Sequence, residues 1–324
     1  MSTQTQTTYT LSSLPKVAFG TWSWGSGFRG GDNIFGNNLS AEQMHEVFKT
    51  ALEQGFNLWD TAYAYGLGSS EQALRQAAQN YARHELILST KFTPQLADNS
   101  TTPVAHSFAT SAQNLATDYL DFYWIHNSYN FGKWTDEAIA LLKAGKVKYV
   151  GVSNHNLEQI KQIDAALQAE GFRVSAVQNH FSLLFRNSDH TGILDYCKEQ
   201  GIPFFAYMVL EQGALSGRYN VNNPLPADSL RGQTYNKALP QLETLTNRMA
   251  QIGEKYQLST AQVAIAYAIT KGTLPLIGAT KPYHVTEAIA ASKVQLTLQE
   301  VAELEALADA TGVDTTGGWE AIEN

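Results

Sequence analysis

The chain alternates short apolar segments with amphipathic helical segments along nearly its whole length. Each apolar run is followed by a segment with helical periodicity, and no shift in composition marks a linker. The apolar runs lie at residues 17–19, 56–59, 86–89, 122–125, 147–152, 174–177, 203–207 and 274–277. Strands that alternate with helices indicate parallel pairing. Eight such units in 324 residues predict an α/β fold, the closed (β/α)8 TIM barrel, with its functional site at the carboxyl ends of the strands.

The helical segments carry their own start signals. Four begin with a capping pair, namely Ser40 with Gln43, Asn156 with Gln159, Ser259 with Gln262, and Thr297 with Glu300. The last pair opens a helix at residues 298–308, beyond the eighth unit. We therefore expect one barrel domain at residues 13–324, with eight parallel strands, surrounding helices and an extra C-terminal helix. Residues 1–12, which are polar and rich in Thr and Gln, are expected to form a flexible tail.

An open doubly wound sheet is the alternative arrangement of the same units. That fold normally carries Gly-x-Gly-x-x-Gly after its first strand. Here the first strand is followed at residues 20–25 by Gly-Thr-Trp-Ser-Trp-Gly, which does not match. The barrel is therefore the favoured prediction.

Composition limits the classes of partner. The net charge of -8 argues against nucleic acid, because binding phosphates needs a basic face. No apolar run approaches the length of a membrane span, so we expect no membrane partner. The single cysteine, Cys197, excludes an internal disulfide, and the polar start of the chain lacks a signal peptide's apolar region. These features favour a cytoplasmic protein, a monomer or a small homo-oligomer.

Four ionisable side chains follow the second, third and fourth apolar runs: Asp60, Tyr65, Lys91 and His126. Taken singly, each has an ordinary explanation, as a turn residue, a loop aromatic, a surface lysine or a hydrogen-bonded histidine. Together they lie at the ends of neighbouring strands, on one rim of a barrel. A phenol titrates at about pH 10 in water, but a nearby ammonium favours the phenolate, and a carboxylate can hold that ammonium. The set predicts a site in which a tyrosine donates a proton.

The sequence around these residues resembles the aldo-keto reductases. The matching blocks are Asp60-Thr-Ala-x-x-Tyr65-Gly66, Ser89-Thr-Lys91, Tyr123-x-Ile-His126, Gly151-Val-Ser-Asn154, Val177-Gln178, Gly213-Ala-Leu-Ser-Gly217 and Pro275-Leu-Ile-Gly278. They occur in the family's order and cover residues 17–308. The resemblance implies an NADPH-dependent enzyme that reduces a small aldehyde or ketone to an alcohol, with NADH as a possible cofactor. It makes Tyr65 the proton donor, Lys91 the group that lowers its pKa, Asp60 the partner of Lys91, and His126 the residue that orients the carbonyl.

The same resemblance assigns a cofactor site. Ser153, Asn154 and Gln178 match the positions that hold the nicotinamide carboxamide, and Tyr207 matches the aromatic on which the nicotinamide stacks. The first-strand turn contributes Gly20, Thr21 and Trp22, with Asp60 beside them. The loop that covers the pyrophosphate contributes Leu210, Gln212, Gly213, Leu215, Gly217 and Arg218. The adenosine segment contributes Gly278, Thr280, Lys281, His284, Glu287 and Ala288. A helix N-terminus beside Lys281 favours NADPH over NADH.

This chain departs from the family pattern at a few of these positions. Met208-Val209 stands where Ser-Pro often follows the stacking tyrosine, and His284 and Ala288 replace residues more usual in the adenosine segment. Because a histidine is neutral or only partly charged at pH 7, His284 weakens the preference for NADPH. His180 and Phe181 replace more usual residues after Gln178 and are expected to be packing variants.

We expect Trp22, Trp24, Tyr65, Phe92, His126 and Asn127 to line the substrate pocket, and no metal site. Other aromatic residues of loops and of the tail, including Phe28 and Trp319, also lie where they can face the barrel mouth. Aromatic walls suit an apolar or flat carbonyl compound, although sugars also stack on aromatic rings.

Two alternative functions remain open at this point. A nucleotide-sensing partner protein, like the channel-associated subunits that resemble this family, would keep the four residues and bind NADPH but turn over slowly. A barrel hydrolase would use Asp60 and Glu71 as paired carboxylates, but it leaves Lys91 and the glycine-rich loop at residues 213–217 unexplained.

Overall fold

In a computed structural model of the protein, residues 9–317 are described, and they form a closed barrel of eight parallel strands. The strands are β1 (Ala18–Gly20), β2 (Leu58–Asp60), β3 (Ile87–Phe92), β4 (Leu120–Ile125), β5 (Val147–Ser153), β6 (Ala176–His180), β7 (Phe204–Tyr207) and β8 (Leu274–Gly278). Each strand pairs in parallel with the next, and β1 also pairs with β8, where Gly20 lies opposite Gly278. The predicted barrel is confirmed, and the open-sheet alternative is excluded because no strand edge is left unpaired.

The helices surround the barrel. They are α1 (Gly31–Phe35), α2 (Ala41–Glu53), α3 (Ser69–Ala78), α4 (Pro103–Asn114), α5 (Thr135–Lys143), α6 (Leu157–Ala169), α7 (Asn187–His190), α8 (Ile193–Gln200), α9 (Leu230–Tyr235), α10 (Leu239–Tyr256), α11 (Thr260–Thr270), α12 (Pro282–Ala291) and α13 (Leu298–Thr311). All four predicted capping boxes are present, at the starts of α2, α6, α11 and α13.

The strands have apolar side chains on both faces, because the barrel interior and the helix layer are both dry. Leu58, Ile87, Phe122, Trp124 and Phe205 belong to one buried cluster that fills the amino-terminal part of the barrel. A larger cluster lies between the strands and the helices. Since successive side chains of a strand point to opposite faces, a polar residue at a carboxyl end faces either the mouth or the helix layer.

Part of the expected tail is packed against the barrel. A short 3-10 helix covers Leu11–Ser13, and the Tyr9 hydroxyl donates to Asp121 Oδ1 at 2.9 Å. Residues 1–8 of that tail, and Trp319 of the expected mouth aromatics, lie outside the described residues. Within residues 9–317, no helix is long and apolar enough to span a bilayer, and no cluster of His, Cys, Asp and Glu is arranged to hold a metal ion.

Candidate active site

The carboxyl ends of β2, β3 and β4 bring the four predicted ionisable residues together. Asp60 ends β2, Lys91 lies near the end of β3, and His126 follows β4. Lys91 Nζ donates to Asp60 Oδ2 at 2.5 Å, to the Thr61 carbonyl oxygen at 2.7 Å, and to the Tyr65 hydroxyl at 3.3 Å. The ammonium therefore joins the carboxylate to the phenol in one contact chain.

Asp60 is held in place from its other side. Its Oδ1 accepts hydrogen bonds from Ser89 Oγ at 2.6 Å and from Gln178 Nε2 at 3.4 Å. Ser89 Oγ in turn accepts from the indole nitrogen of Trp124 at 2.6 Å. Both Asp60 and Lys91 are buried, at 1% and 0% exposure, so their pairing is needed to keep two charges in a dry site.

The pKa values of Lys91 and Tyr65 are set by burial and by the charges around them. Burial opposes the charge of Lys91, but Asp60 and Tyr65 outweigh it and raise the pKa of the ammonium above its ordinary value. For Tyr65, burial is the largest influence and raises the pKa of the phenol, while Lys91 only partly offsets the rise. Lys91 therefore acts on the Tyr65 pKa in the expected direction, but burial outweighs it and leaves that pKa above its ordinary value. The phenol carries its proton at neutral pH, and Lys91 favours the phenolate that would remain after the proton leaves.

His126 is a neutral imidazole beside the phenol. Its ring centre lies 5.9 Å from that of Tyr65, and its Nδ1 lies 2.8 Å from the hydroxyl of Thr93. Burial, with smaller contributions from the charges of Lys91 and Arg29, holds the pKa of His126 well below its ordinary value. A neutral ring has one N–H, so the role of the Thr93 hydroxyl at Nδ1 determines which ring nitrogen carries the proton.

Glu71, which the hydrolase alternative would pair with Asp60, lies on the other face of β3. Its carboxylate accepts from Thr90 Oγ1 at 2.7 Å and from Asn114 Nδ2 at 2.8 Å. Thr90 points away from the face that carries Ser89 and Lys91, because side chains alternate along a strand. Glu71 therefore ties α3 to β3 and α4, and it does not form a carboxylate pair with Asp60.

The residues expected at the nicotinamide lie together at the ends of β5, β6 and β7. Asn154 follows β5 and adopts a left-handed backbone, with φ of 56°. Its Nδ2 donates to the His126 carbonyl oxygen at 3.0 Å, and its Oδ1 accepts from the Tyr207 hydroxyl at 2.6 Å. Ser153 Oγ lies 3.2 Å from the same amide nitrogen, and Gln178 reaches Asp60. This set of amide and hydroxyl groups suits a carboxamide, which offers both a donor and an acceptor.

The loop expected at the pyrophosphate and the segment expected at the adenosine both contain glycines, at exposed positions or at positions of positive φ. Gly213 and Gly217 have φ of 108° and 71°, values that glycine adopts without strain. The buried hydroxyl of Ser23 has no hydrogen-bond partner within the described structure, and a Cβ placed on Gly278 would lie 3.9 Å from it. An orphaned donor beside a bare glycine indicates space for a polar ligand there.

The other residues expected to bind the cofactor differ in charge and in burial. His284 Nδ1 accepts from the Thr280 N–H at 3.2 Å, and burial, with the charges of Lys281 and Arg218, lowers the pKa of His284 to about 4. His284 is therefore neutral at pH 7, whereas Lys281 and Arg218 supply positive charge around it. Burial raises the pKa of Glu287. The side chains of Thr21, Leu215 and Ala288 are fully buried.

The expected substrate-pocket residues separate into two groups. Trp22 stacks on Tyr65 with ring centres 5.2 Å apart, and Asn127 exchanges hydrogen bonds with Gln95 beside His126. Trp24 and Phe92 instead belong to the cluster between strands and helices. Trp24 packs on Trp59 and donates to the Ala279 carbonyl oxygen at 2.7 Å. Phe92 packs on Trp134, since it alternates with Lys91 along β3. The proposed pocket therefore does not include Trp24 or Phe92.

Several residues of the site were not predicted from the sequence. Thr93, Ser89 and Phe35 contact the predicted residues directly, and Phe35 packs edge-on against Trp22 at 5.2 Å. Ser89 stands two residues before Lys91 on the same face of its strand, so alternation alone could have found it. Phe35 could not be found that way, because α1 is a five-residue helix inside a glycine-rich loop.

The fold and the site together define a class of protein: a (β/α)8 barrel with a buried carboxylate and ammonium in contact with a half-buried phenol at its carboxyl rim. Comparison with known proteins agrees. The model of the Aldo/keto reductase family matches residues 16–309. The chloroplastic pyridoxal reductase of Arabidopsis thaliana is 30% identical over 310 residues, which cover 90% of this chain and 83% of the relative.

Solved structures show the same fold. The glycerol dehydrogenase of Gluconobacter oxydans superposes with a TM-score of 0.73 at 23% identity, covering 94% of this chain and 95% of that one. An aldo-keto reductase of Klebsiella pneumoniae, crystallised in complex with NADPH, gives a TM-score of 0.70 at 23% identity, with 91% of each chain covered. The chain belongs to the aldo/keto reductase family, whose members are NAD(P)H-dependent oxidoreductases that act on carbonyl and alcohol groups. The resemblance found in the sequence is confirmed.

Proposed function

We propose that this protein reduces aldehydes or ketones to alcohols with NADPH, and that Tyr65 is the proton donor. The observation that carries the proposal is the position of Lys91 Nζ, which contacts Asp60 at 2.5 Å and the Tyr65 hydroxyl at 3.3 Å in a buried site. A phenol that is protonated at neutral pH, and whose conjugate base is stabilised by an adjacent ammonium, has the two properties that a general acid needs.

When bound, NADPH would supply the hydride for the carbonyl carbon, which is chemistry that belongs to the cofactor. Its nicotinamide would be held by Ser153, Asn154, Gln178 and Tyr207. The protein supplies the proton and holds the substrate. As negative charge grows on the carbonyl oxygen, the Tyr65 O–H bond breaks and the O–H bond of the alcohol forms. Lys91 stabilises the tyrosinate that remains, and Asp60 keeps Lys91 oriented. His126, with its Nε2–H facing the mouth, donates to the same oxygen before the proton moves.

The charges at the far end of the cofactor site favour NADPH over NADH. Lys281 and Arg218 both act on His284, so both cations lie around the segment assigned to the adenosine. Lys281 also immediately precedes α12, whose N-terminus adds a favourable dipole for an anion. Because His284 is neutral, the preference for the extra phosphate of NADPH rests on Lys281 and Arg218.

The aromatic walls favour a flat aldehyde as substrate. Trp22 stacks on Tyr65, and Phe35 packs edge-on against Trp22, so two rings border the side of the mouth next to the proton donor. The relative in Arabidopsis thaliana is named a pyridoxal reductase, and pyridoxal is a flat aromatic aldehyde. We therefore place pyridoxal first in a panel of aldehydes, ketones and sugars.

The test compares the wild type with Tyr65→Phe in the oxidation of NADPH against that panel. We expect Tyr65→Phe to lose at least about 100-fold in kcat, since it removes the general acid, while NADPH still quenches the protein's fluorescence as it does in the wild type. Tyr81→Phe is the matched control, because Tyr81 packs on Phe48 in the helix layer, away from the site. Full activity in a folded Tyr65→Phe protein would contradict the role of Tyr65. Slow turnover of the wild type on every compound, with tight NADPH binding, would favour the sensing alternative.

A further inference from the structure

The loop assigned to the pyrophosphate begins with an unusual backbone. Met208, Glu211 and Gln212 have φ of 62°, 45° and 53°, in the left-handed region that residues other than glycine rarely adopt. Such a backbone is strained and persists only where the surroundings hold it. The side chain of Glu211 makes contacts that hold this segment.

The carboxylate of Glu211 is fully buried and accepts hydrogen bonds from several donors. Oε2 accepts from the Tyr235 hydroxyl at 2.7 Å. Oε1 lies 2.8 Å from His180 Nε2 and 3.3 Å from Thr315 Oγ1, and it also accepts from Ser182 Oγ. Both oxygens of a carboxylate accept hydrogen bonds, so a carboxylate satisfies this ring of donors. An amide at the same place would direct its NH2 group toward one of the donors.

These donors come from three different parts of the molecule. His180 ends β6, Tyr235 ends α9, and Thr315 belongs to the segment that follows α13. The ring of His180 also stacks on Tyr207, with centres 5.6 Å apart. Glu211 therefore connects the cofactor loop to the tyrosine that is assigned to the nicotinamide.

A second contact from α9 holds the next residue of the loop. Arg231 Nη1 donates to the Gln212 carbonyl oxygen at 3.2 Å, and the guanidinium lies 6.0 Å from the ring of Phe35 in α1. Phe35 in turn packs on Trp22, beside the proton donor. Helix α9 thus contacts both Glu211 and Gln212 and lies between the cofactor loop and the substrate side of the mouth.

We propose that Glu211 is a positioning residue that preforms the cofactor loop and fixes Tyr207 through His180. This inference rests on the proposed NADPH dependence and concerns the residues that set the affinity for the cofactor. A preformed loop binds NADPH without the cost of ordering it, so loss of the Glu211 contacts weakens binding and speeds release. Glu211 does not touch the reacting atoms, so the chemical step at saturating NADPH is affected less than the affinity.

The experiment measures three quantities for each variant: the Kd for NADPH by fluorescence titration, the NADPH release rate by stopped flow, and the thermal midpoint without cofactor. We expect Glu211→Gln to raise Kd about tenfold, because one buried donor then faces an NH2 group. We expect a smaller rise for Tyr235→Phe, which removes one donor and keeps the ring. In both variants kcat at saturating NADPH changes less than Kd does. Glu243→Gln, on the exposed face of α10, is the matched control and leaves Kd unchanged.

The outcomes separate this inference from the proposed function. A lower thermal midpoint with unchanged Kd and release rate in both variants would mean that Glu211 only stabilises the fold, and would overturn the inference. If Glu211→Gln does not fold, the Kd and release rate of Tyr235→Phe decide the matter. A wild type that does not bind NADPH overturns the proposed function together with this inference. A wild type that binds NADPH, with variants that bind equally well, overturns the inference alone.

Discussion

The chemistry proposed for Tyr65 depends on residues that were not predicted from the sequence and that hold the predicted residues in place. Asp60 keeps Lys91 charged in a dry site, and Ser89 with Trp124 keeps Asp60 in place. His126 depends in the same way on Thr93, whose hydroxyl lies 2.8 Å from Nδ1. If the hydroxyl donates to Nδ1, the single proton of the neutral ring lies on Nε2.

This geometry predicts the effect of replacing Thr93 by valine, which keeps the shape and removes the hydroxyl. We expect Thr93→Val to lower kcat/KM about tenfold, because the His126 ring then populates both tautomers and turns more freely. The control is Thr50→Val on α2, whose hydroxyl bonds only to its own helix at Glu46. Nitrogen NMR of labelled histidine reports the tautomer directly. An unchanged tautomer and an unchanged kcat/KM in Thr93→Val would show that Thr93 does not orient His126.

The pKa directions predict the pH profile of reduction. The pKa of His126 is lowered well below 6.5, so the ring is neutral at pH 7 and stays neutral on mild acidification. The pKa of Tyr65 is raised above 10.0, so the phenol keeps its proton at mildly alkaline pH. We therefore expect kcat/KM to be flat between about pH 6.5 and about pH 9. The measurement is kcat/KM at constant ionic strength. A limb centred near pH 7 that disappears in His126→Gln would mean that His126 titrates there.

At the scale of elements, much of the fold was predictable because its signals are local. The apolar runs located all eight strands, although β2 and β6 begin two residues later than expected, at Leu58 and Ala176. The capping boxes located the starts of α2, α6, α11 and α13. Helix α9 was not predicted, because it lies in a polar stretch and is held by tertiary contacts through Arg231 and Tyr235.

The same distinction explains which site residues were found. Asp60, Lys91 and His126 follow apolar runs directly, so their place on the rim followed from the strand pattern. Glu211 and Thr93 lie in loops, where one sequence gives no sign of burial or of a distant partner. The partners of Glu211 include Thr315, which is 104 residues away along the chain. Only the folded chain brings such donors together.

The capping boxes make a prediction about element stability. At the start of α13, Thr297 Oγ1 accepts from the Glu300 N–H at 3.2 Å, and Glu300 Oε2 accepts from the Thr297 N–H at 2.9 Å. Thr297→Ala removes the side-chain acceptor, so we expect the free energy of unfolding to fall by about 1 kcal/mol. Thr297→Ser restores the oxygen and should regain most of that loss. Urea denaturation measures both variants, and an equal loss in Ala and Ser would mean that the hydroxyl is not the cause.

At the scale of the whole molecule, the two ends of the barrel contain different sets of charged residues. The residues proposed to transfer the proton lie at the carboxyl ends of the strands. Near the amino end of β4, the carboxylate of Asp121 is fully buried. It forms ion pairs with Arg83 at 2.6 Å and with Lys148 at 2.9 Å, and it accepts a hydrogen bond from the Leu88 N–H at 2.9 Å. Tyr9 adds its hydroxyl to the same carboxylate. Asp121 thus joins β3, β4, β5 and the N-terminal segment.

This arrangement predicts that stability and activity can be lost separately. Asp121→Asn leaves Arg83 and Lys148 without their anion, and we expect the free energy of unfolding to fall by about 3 kcal/mol. Because the carboxyl rim is unaffected, kcat/KM of the folded variant should stay within about twofold of the wild type, since active sites of this fold lie at the opposite end. Tyr65→Phe should show the reverse, with activity lost and stability kept. Urea denaturation and NADPH oxidation at 25 °C test both variants. A large loss of kcat/KM in folded Asp121→Asn would show that the two ends are coupled through the strands.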